Sequence, residues 1–108
     1  MEYRYIADPI RFSMMDTEEI RENLLAESLF KKNRVQLIYV DVDRAILGSA
    51  VPSSRDLELD ESKELRSSAF CERRELGILN IGDTGCIQVD ANPTIWIHLI
   101  VSILGVVL

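Results

Sequence analysis

Four consecutive charges, Glu72-Arg73-Arg74-Glu75, stand between Phe70-Cys71 and the apolar run that starts at Leu76. An arginine can hold a carboxylate through its planar fork of donors. On a strand, alternation sends Glu72 and Arg74 to one face and Arg73 and Glu75 to the other. One such face can meet a substrate carboxylate; the same pattern also builds a salt-bridged strand, or a contact between domains or subunits. The second candidate is Asp41-Val42-Asp43, an acidic pair that a metal ion or an acid–base step could use. No histidine accompanies it, and a strand end or turn with solvated carboxylates is the simpler reading. Cys71 and Cys86 are too few for a disulfide framework and are expected as buried thiols. The single histidine, His98, and the absence of CxxC, HxH or HExxH spacing predict no metal site made by this chain alone. No catalytic, cofactor-binding or metal-binding residue is assigned on these grounds.

The elements that would position these residues are mostly strands. Residues 1–13 alternate loosely, and Asp8 before Pro9 favours an extended strand or arm over a helix. Asp16 can cap a helix, with Glu19 at the capping-box position. Ile20, Leu24, Leu25 and Leu29 then share a helical face, so the helix is expected to pack on a sheet and to end near Phe30–Asn33. Val35–Val40 and Arg44–Pro52 read as strands, the second stopped by proline. Ser53–Asp56 reads as a loop, and Leu57, Leu59 and Leu65 as a short half-exposed strand and turn. Residues 76–81 and Cys86–Asp90, separated by a turn with Gly82 and Gly85, predict a β-hairpin. These glycines suit turns and close packing better than a phosphate cradle, since no helix start follows them. The predicted class is mainly β (α+β), a barrel-like domain with one N-terminal amphipathic helix.

At 47% hydrophobic and 28% charged, the 108 residues can build a core. The net charge of -6 argues against a nucleic-acid partner. Met1–Tyr5 has neither the basic start nor the apolar run of a signal peptide, so the cytoplasm is expected.

Three segments in order carry a resemblance: MEYRYIADPIRFSMMDTEEIRENLLAESLF at Met1–Phe30, VDRAILGSAVP at Val42–Pro52 and ERRELGILNIGDTG at Glu72–Gly85. Together they resemble the N-terminal part of the 5-keto-4-deoxyuronate isomerases (4-deoxy-L-threo-5-hexosulose-uronate ketol-isomerases), over about residues 1–90. The resemblance implies a double-cupin chain well over twice this length, of which residues 1–90 would be a partial cupin-like β-barrel. It implies interconversion of 5-keto-4-deoxyuronate and 2,5-diketo-3-deoxygluconate in pectin and polyuronate catabolism, a uronate sugar as substrate, and a homo-oligomer. It also implies zinc, held by histidines and a glutamate of the C-terminal barrel; those ligands fall beyond this chain, so no zinc is expected bound here and the chain alone is expected to be inactive.

From Ala91 the character changes, and Ala91–Leu108 contains no Asp, Glu, Lys or Arg. A family-like continuation VDGKSYDLDTFDCLYIGRGT, with wobble bases freely chosen and one base removed from the codon after Asp90, translates as VDANPTIWIHLIVSILGVV and opens a leucine codon. That is this tail, so residues 91–108 are expected to be a frameshift product. Ile95–Leu108 is shorter than the roughly 20 apolar residues of a membrane span, and no membrane partner is expected. Two other readings stay open: a non-catalytic cupin-like module for sugar binding or assembly, and a small tail-anchored membrane protein.

Overall fold

The computed structural model describes residues 1–59, 66, 70–71 and 74–88, together with the backbone of Ile95–Ile97 and Leu104–Val106. Its centre is a hairpin of β2 (Val35–Val40) and β3 (Ala45–Ala50), paired antiparallel from Val35↔Ala50 to Val40↔Ala45. Both strands are rich in β-branched and aliphatic residues, which suit a pleated, half-buried surface. The expected strand Val35–Val40 is met residue for residue; that of Arg44–Pro52 is shortened by its ends. Around this hairpin the sheet runs β1-β2-β3-β7-β4. β1 (Glu2–Arg4) joins β2 in parallel, and β7 (Leu104–Val106) lies between β3 and β4 (Gly77–Ile78). A separate pair is formed by β5 (Gly85–Ile87) and β6 (Ile95–Ile97). The sheet is mixed and open, and no barrel closes among the described residues, in keeping with a mainly β or α+β class.

The core is small. Leu37 from β2, Ile46 from β3 and Phe70 form its buried cluster, with Met1, Val35, Tyr39, Leu59 and Leu76 packed against it. Ile46 is 1% exposed and is the tightest of them. On β3 the buried Ser49 places its hydroxyl 2.5 Å from the Leu29 carbonyl, which satisfies a polar group that would otherwise be costly there.

Several local expectations are corrected. The segment after β1 contains α1 (Pro9–Phe12), capped by Asp8, whose side chain accepts from Arg11 N–H at 2.8 Å. Asp8 itself is extended, as a residue before proline should be, but Pro9 then sits where a helix tolerates it best, at the start. Helix α2 (Thr17–Leu24) begins with the expected capping box: Asp16 Oδ1 accepts from Glu19 N–H, and Glu19 Oε2 accepts from Asp16 N–H, both at 2.8 Å. It ends at Leu24 rather than near Phe30, because Leu25 turns extended. Its hold on the sheet edge is polar: Asn23 donates to Tyr5 O and accepts from Ala7 N–H, and Arg4 Nη1 donates to Leu25 O. No residue of α2 is buried, so the expected apolar packing on a sheet is not its mode of attachment. Since the cap is the helix's strongest local stabiliser, Asp16→Ala should cost about 0.5–2 kcal/mol. Urea denaturation followed by circular dichroism measures this, and an unchanged midpoint would show that the helix is held by other means.

The predicted hairpin of 76–90 does not form. β4 pairs with β7 and β5 pairs with β6, not with each other. Between them Asn80 folds its own turn, Oδ1 accepting from Gly82 N–H at 3.0 Å and Nδ2 donating to Asp83 O at 2.9 Å. No glycine among the described residues takes a positive φ, and a Cβ at Gly82 or Gly85 would meet nothing closer than 3.8 Å. Neither the left-handed backbone nor close packing therefore explains these two glycines. Leu57 and Leu59 are half-buried as expected, but in loop rather than strand. Leu65 and Val89-Asp90 lie outside the described residues.

Candidate functional site

The backbone after Phe70 sends alternate side chains in and out: Arg74 half-buried, Glu75 exposed, Leu76 half-buried. Arg74 points back over the ring of Phe70, with its guanidinium carbon 5.5 Å from the ring centroid. That distance is within the range of a cation–π contact. Its Nε and Nη1 are shielded from solvent, and neither has a hydrogen-bond partner. A guanidinium binds and orients anions, a carboxylate above all. Of the two described residues of the charged stretch, Arg74 is thus the one turned inward over Phe70, while Glu75 is exposed. Glu72 and Arg73, its expected neighbours on the two faces, lie outside the described residues.

The other sequence candidates are resolved differently. Asp41 opens the β2–β3 connection, and its Oδ1 accepts from Ile6 N–H and from Val42 N–H, each at 2.9 Å. Its carboxylate ties Ile6, just after β1, to the hairpin turn, which is the strand-end role. Asp43 and Arg44 complete that turn at φ of 56° and 50°, in the left-handed region. Cys71 and Cys86 are both exposed free thiols, which corrects the expectation of burial. Cys71 follows the buried Phe70 in a turn and faces away from the core, and Cys86 is on the solvent side of its short strand.

Two open clefts flank the sheet. One, of about 360 Å³, is bordered by Asn33, Arg34, Arg55, Asp56 and Glu58. Its frame is Asn33, at φ 57°, whose Oδ1 accepts from Ser53 and Ser54 N–H, while Arg55 donates to Asn33 O. The other, of about 460 Å³, is bordered by Glu2, Arg4, Glu18, Arg21, Glu22 and Glu27. Its arginines are already engaged, Arg4 with Glu2 at 2.6 Å and Arg21 with Glu27. Neither cleft combines a nucleophile with a base. Among the described residues no three His, Cys, Asp or Glu side chains come close enough to hold a metal ion, so these residues do not fit zinc. His98 lies outside the described residues. Nor is any described helix long and apolar enough to cross a membrane.

The structural roles of Asn23, Asn33 and Arg4 escaped the sequence reading. Only Asn33 carried a signal, as a residue suited to a chain reversal, and it reverses the loop before β2 rather than the end of the helix.

No protein-family model matches the chain. Individual relatives do. A 4-deoxy-L-threo-5-hexosulose-uronate ketol-isomerase of Lachnoclostridium phytofermentans is 44% identical over 90 residues, 83% of this chain and 33% of that protein. The protein of the same name from Caldicellulosiruptor bescii is 41% identical over 90 residues, again 83% and 33% of the two chains. That of Bacillus subtilis is 39% identical over 89 residues, 82% of this chain and 32% of its own length. The chain therefore spans about a third of the length of the curated relatives it matches. Identity of this order, sustained over most of the chain, places it in the 4-deoxy-L-threo-5-hexosulose-uronate ketol-isomerase family, as a stretch of about one third of a member.

Proposed function

We propose that this chain is the N-terminal piece of a ketol-isomerase that interconverts 5-keto-4-deoxyuronate and 2,5-diketo-3-deoxygluconate, in the breakdown of pectin and related polyuronates. The observation that supports this reading is the 39–44% identity to proteins of that name over about 83% of the chain. The reaction moves a proton between adjacent carbons and leaves the substrate's overall oxidation state unchanged. Such a step needs an acid–base group within hydrogen-bond reach of the carbon-bound proton. In this reading the residues of the present chain build one face of a cupin-like barrel, and the proton-transfer machinery and any zinc ligands belong to the remaining two thirds. Residues 91–108 are read as out of frame after Asp90. The parent enzyme is read as a cytoplasmic homo-oligomer.

The test has two parts. Sequencing the gene through the codon after Asp90 is expected to show that one added base restores a glycine and an open frame rich in His and Glu codons. An isomerase assay, with and without zinc, is expected to show turnover by the extended chain and none by the 108-residue chain. An extended chain that folds but does not isomerise the uronate ends the enzymatic reading and leaves a non-catalytic sugar-binding module in its place.

A further inference from the structure

Among the described residues only Arg74 keeps shielded side-chain donors that donate to nothing, at Nε and Nη1. Buried donors are nearly always paired, so two orphans on one cation point to an acceptor that this chain does not bring to them. Acceptors are not scarce, since the chain has 18 Asp and Glu against 12 Lys and Arg. Other arginines are engaged: Arg4 and Arg21 hold Glu2 and Glu27, and Arg55 donates to Asn33 O at 3.0 Å. Glu75, the nearest carboxylate in sequence among the described residues, is exposed, while Arg74 lies over the ring of Phe70 at 5.5 Å. That ring is 6% exposed and packed with Leu37 and Ile46, so the platform under the guanidinium is fixed. The cation is held in place before any anion arrives, which lowers the cost of binding one.

A guanidinium offers a carboxylate two forks, Nε with Nη2 and Nη1 with Nη2. Nη2 belongs to both and is not among the shielded atoms, and Arg74 keeps part of its surface in water. A carboxylate that reaches Nη2 can therefore close either fork and satisfy one of the orphaned donors. We infer that Arg74 receives the carboxylate group of a uronate. This rests on the proposed function, because the uronate is the substrate class which that reading supplies, and it deepens it by giving this chain a residue that holds the acid end of the sugar. Arginine suits the role better than lysine, since its rigid fork matches two carboxylate oxygens at once. A neutral sugar has no group that an unpaired cation would select in the same way.

The experiment titrates the 108-residue chain with sodium galacturonate at constant ionic strength, with galactose and sodium chloride as controls, and reads the urea midpoint. Galacturonate is expected to raise the midpoint, because a ligand that binds only the folded chain stabilises it. Galactose and chloride are expected to leave it unchanged. Arg74→Met, whatever its own midpoint, should bind galacturonate about 10-fold more weakly or worse, the value of a charge-assisted hydrogen bond. Arg74→Lys keeps the charge without the fork and should weaken binding by about 10-fold as well. Arg34→Met, at an exposed arginine of the Asn33 cleft, should respond as the parent does. As a second measurement, which needs no variant to fold, the Arg74 Nε–H resonance of the parent chain is followed by NMR. It is expected to shift and saturate with galacturonate and to stay in place with galactose. No midpoint response in the parent, an equal response to galactose, a response retained in Arg74→Met, or a stationary Nε–H signal overturns the inference. Isomerase turnover by the extended chain reports separately on the proposed function. An active extended chain whose Arg74 ignores galacturonate discards the carboxylate site alone, and a galacturonate response without turnover keeps the site and discards the isomerase.

Discussion

Phe70→Ala is expected to destabilise the chain by about 3–5 kcal/mol. Among the described buried apolar residues Leu37, Ile38 and Ile46 all come from the β2–β3 hairpin, and Phe70 alone reaches it from the second half of the sequence. Its ring fills the cluster with Leu37 and Ile46 and underlies Arg74. Truncation removes the transfer free energy of the ring and leaves a cavity against Leu37 and Ile46. Against a typical total of about 5–15 kcal/mol for a domain, such a loss leaves a marginal fold. Urea titration should show the midpoint falling steeply, while Tyr5→Ala, at a position 71% exposed, should stay within about 0.5 kcal/mol of the parent. A loss below about 1 kcal/mol at Phe70 would mean that the hairpin alone sets the stability.

The second large effect has the opposite sign. Arg74→Met should stabilise the 108-residue chain. Each shielded, unpartnered N–H costs about 1–3 kcal/mol, and Arg74 has two such groups, on Nε and Nη1. Methionine keeps an unbranched stem over Phe70 and offers a sulfur–aromatic contact of about 0.3–1.5 kcal/mol, which offsets the lost cation–π term of similar size. With two such groups the net gain is about 2–6 kcal/mol, read as a rise in the same urea midpoint. A fall would show that the guanidinium is paired in solution and that its role is structural. A rise marks Arg74 as a cation kept at a cost to stability, which is the pattern of a group retained for an anion it binds.

How much of this was legible beforehand depends on the range of the interactions concerned. Asp16 and Glu19 announced their capping box because a cap is decided within four residues. Val35–Val40 was legible because its composition and the sheet environment agree. The helix end was misread because Leu25 and Leu29 continue the apolar spacing, whereas the chain is turned by side-chain bonds from Asn23 and Arg4 to residues far away in sequence. The hairpin at 76–90 was misread for a related reason. Its two strands have the right residues, but they take partners at Ile95–Ile97 and Leu104–Val106, and no local pattern encodes that choice. The inward turn of Arg74 was half legible, since alternation placed it on one face without saying which face meets the core. The exposure of Cys71 and Cys86 was not legible, because a thiol's usual burial is a tendency of its type and not a property of its position.

The β2–β3 pairing also sets an order of events. Its six residue pairs are joined by a turn of only a few residues, with Asp41 Oδ1 bonded to Val42 N–H. Hairpins of this kind close in about 1–10 μs. By contrast β1 must find β2 across the whole of α1 and α2, and β7 must find β3 from more than fifty residues away. Loop closure over such distances costs entropy before any contact repays it. During synthesis, at about 5–20 residues per second, residues 35–50 therefore have several seconds as a finished hairpin before the later partners exist. The edge of β3 that β7 will occupy is unpaired throughout that interval, and it is there that a nascent chain of this sequence meets its first hazard of pairing with a neighbour.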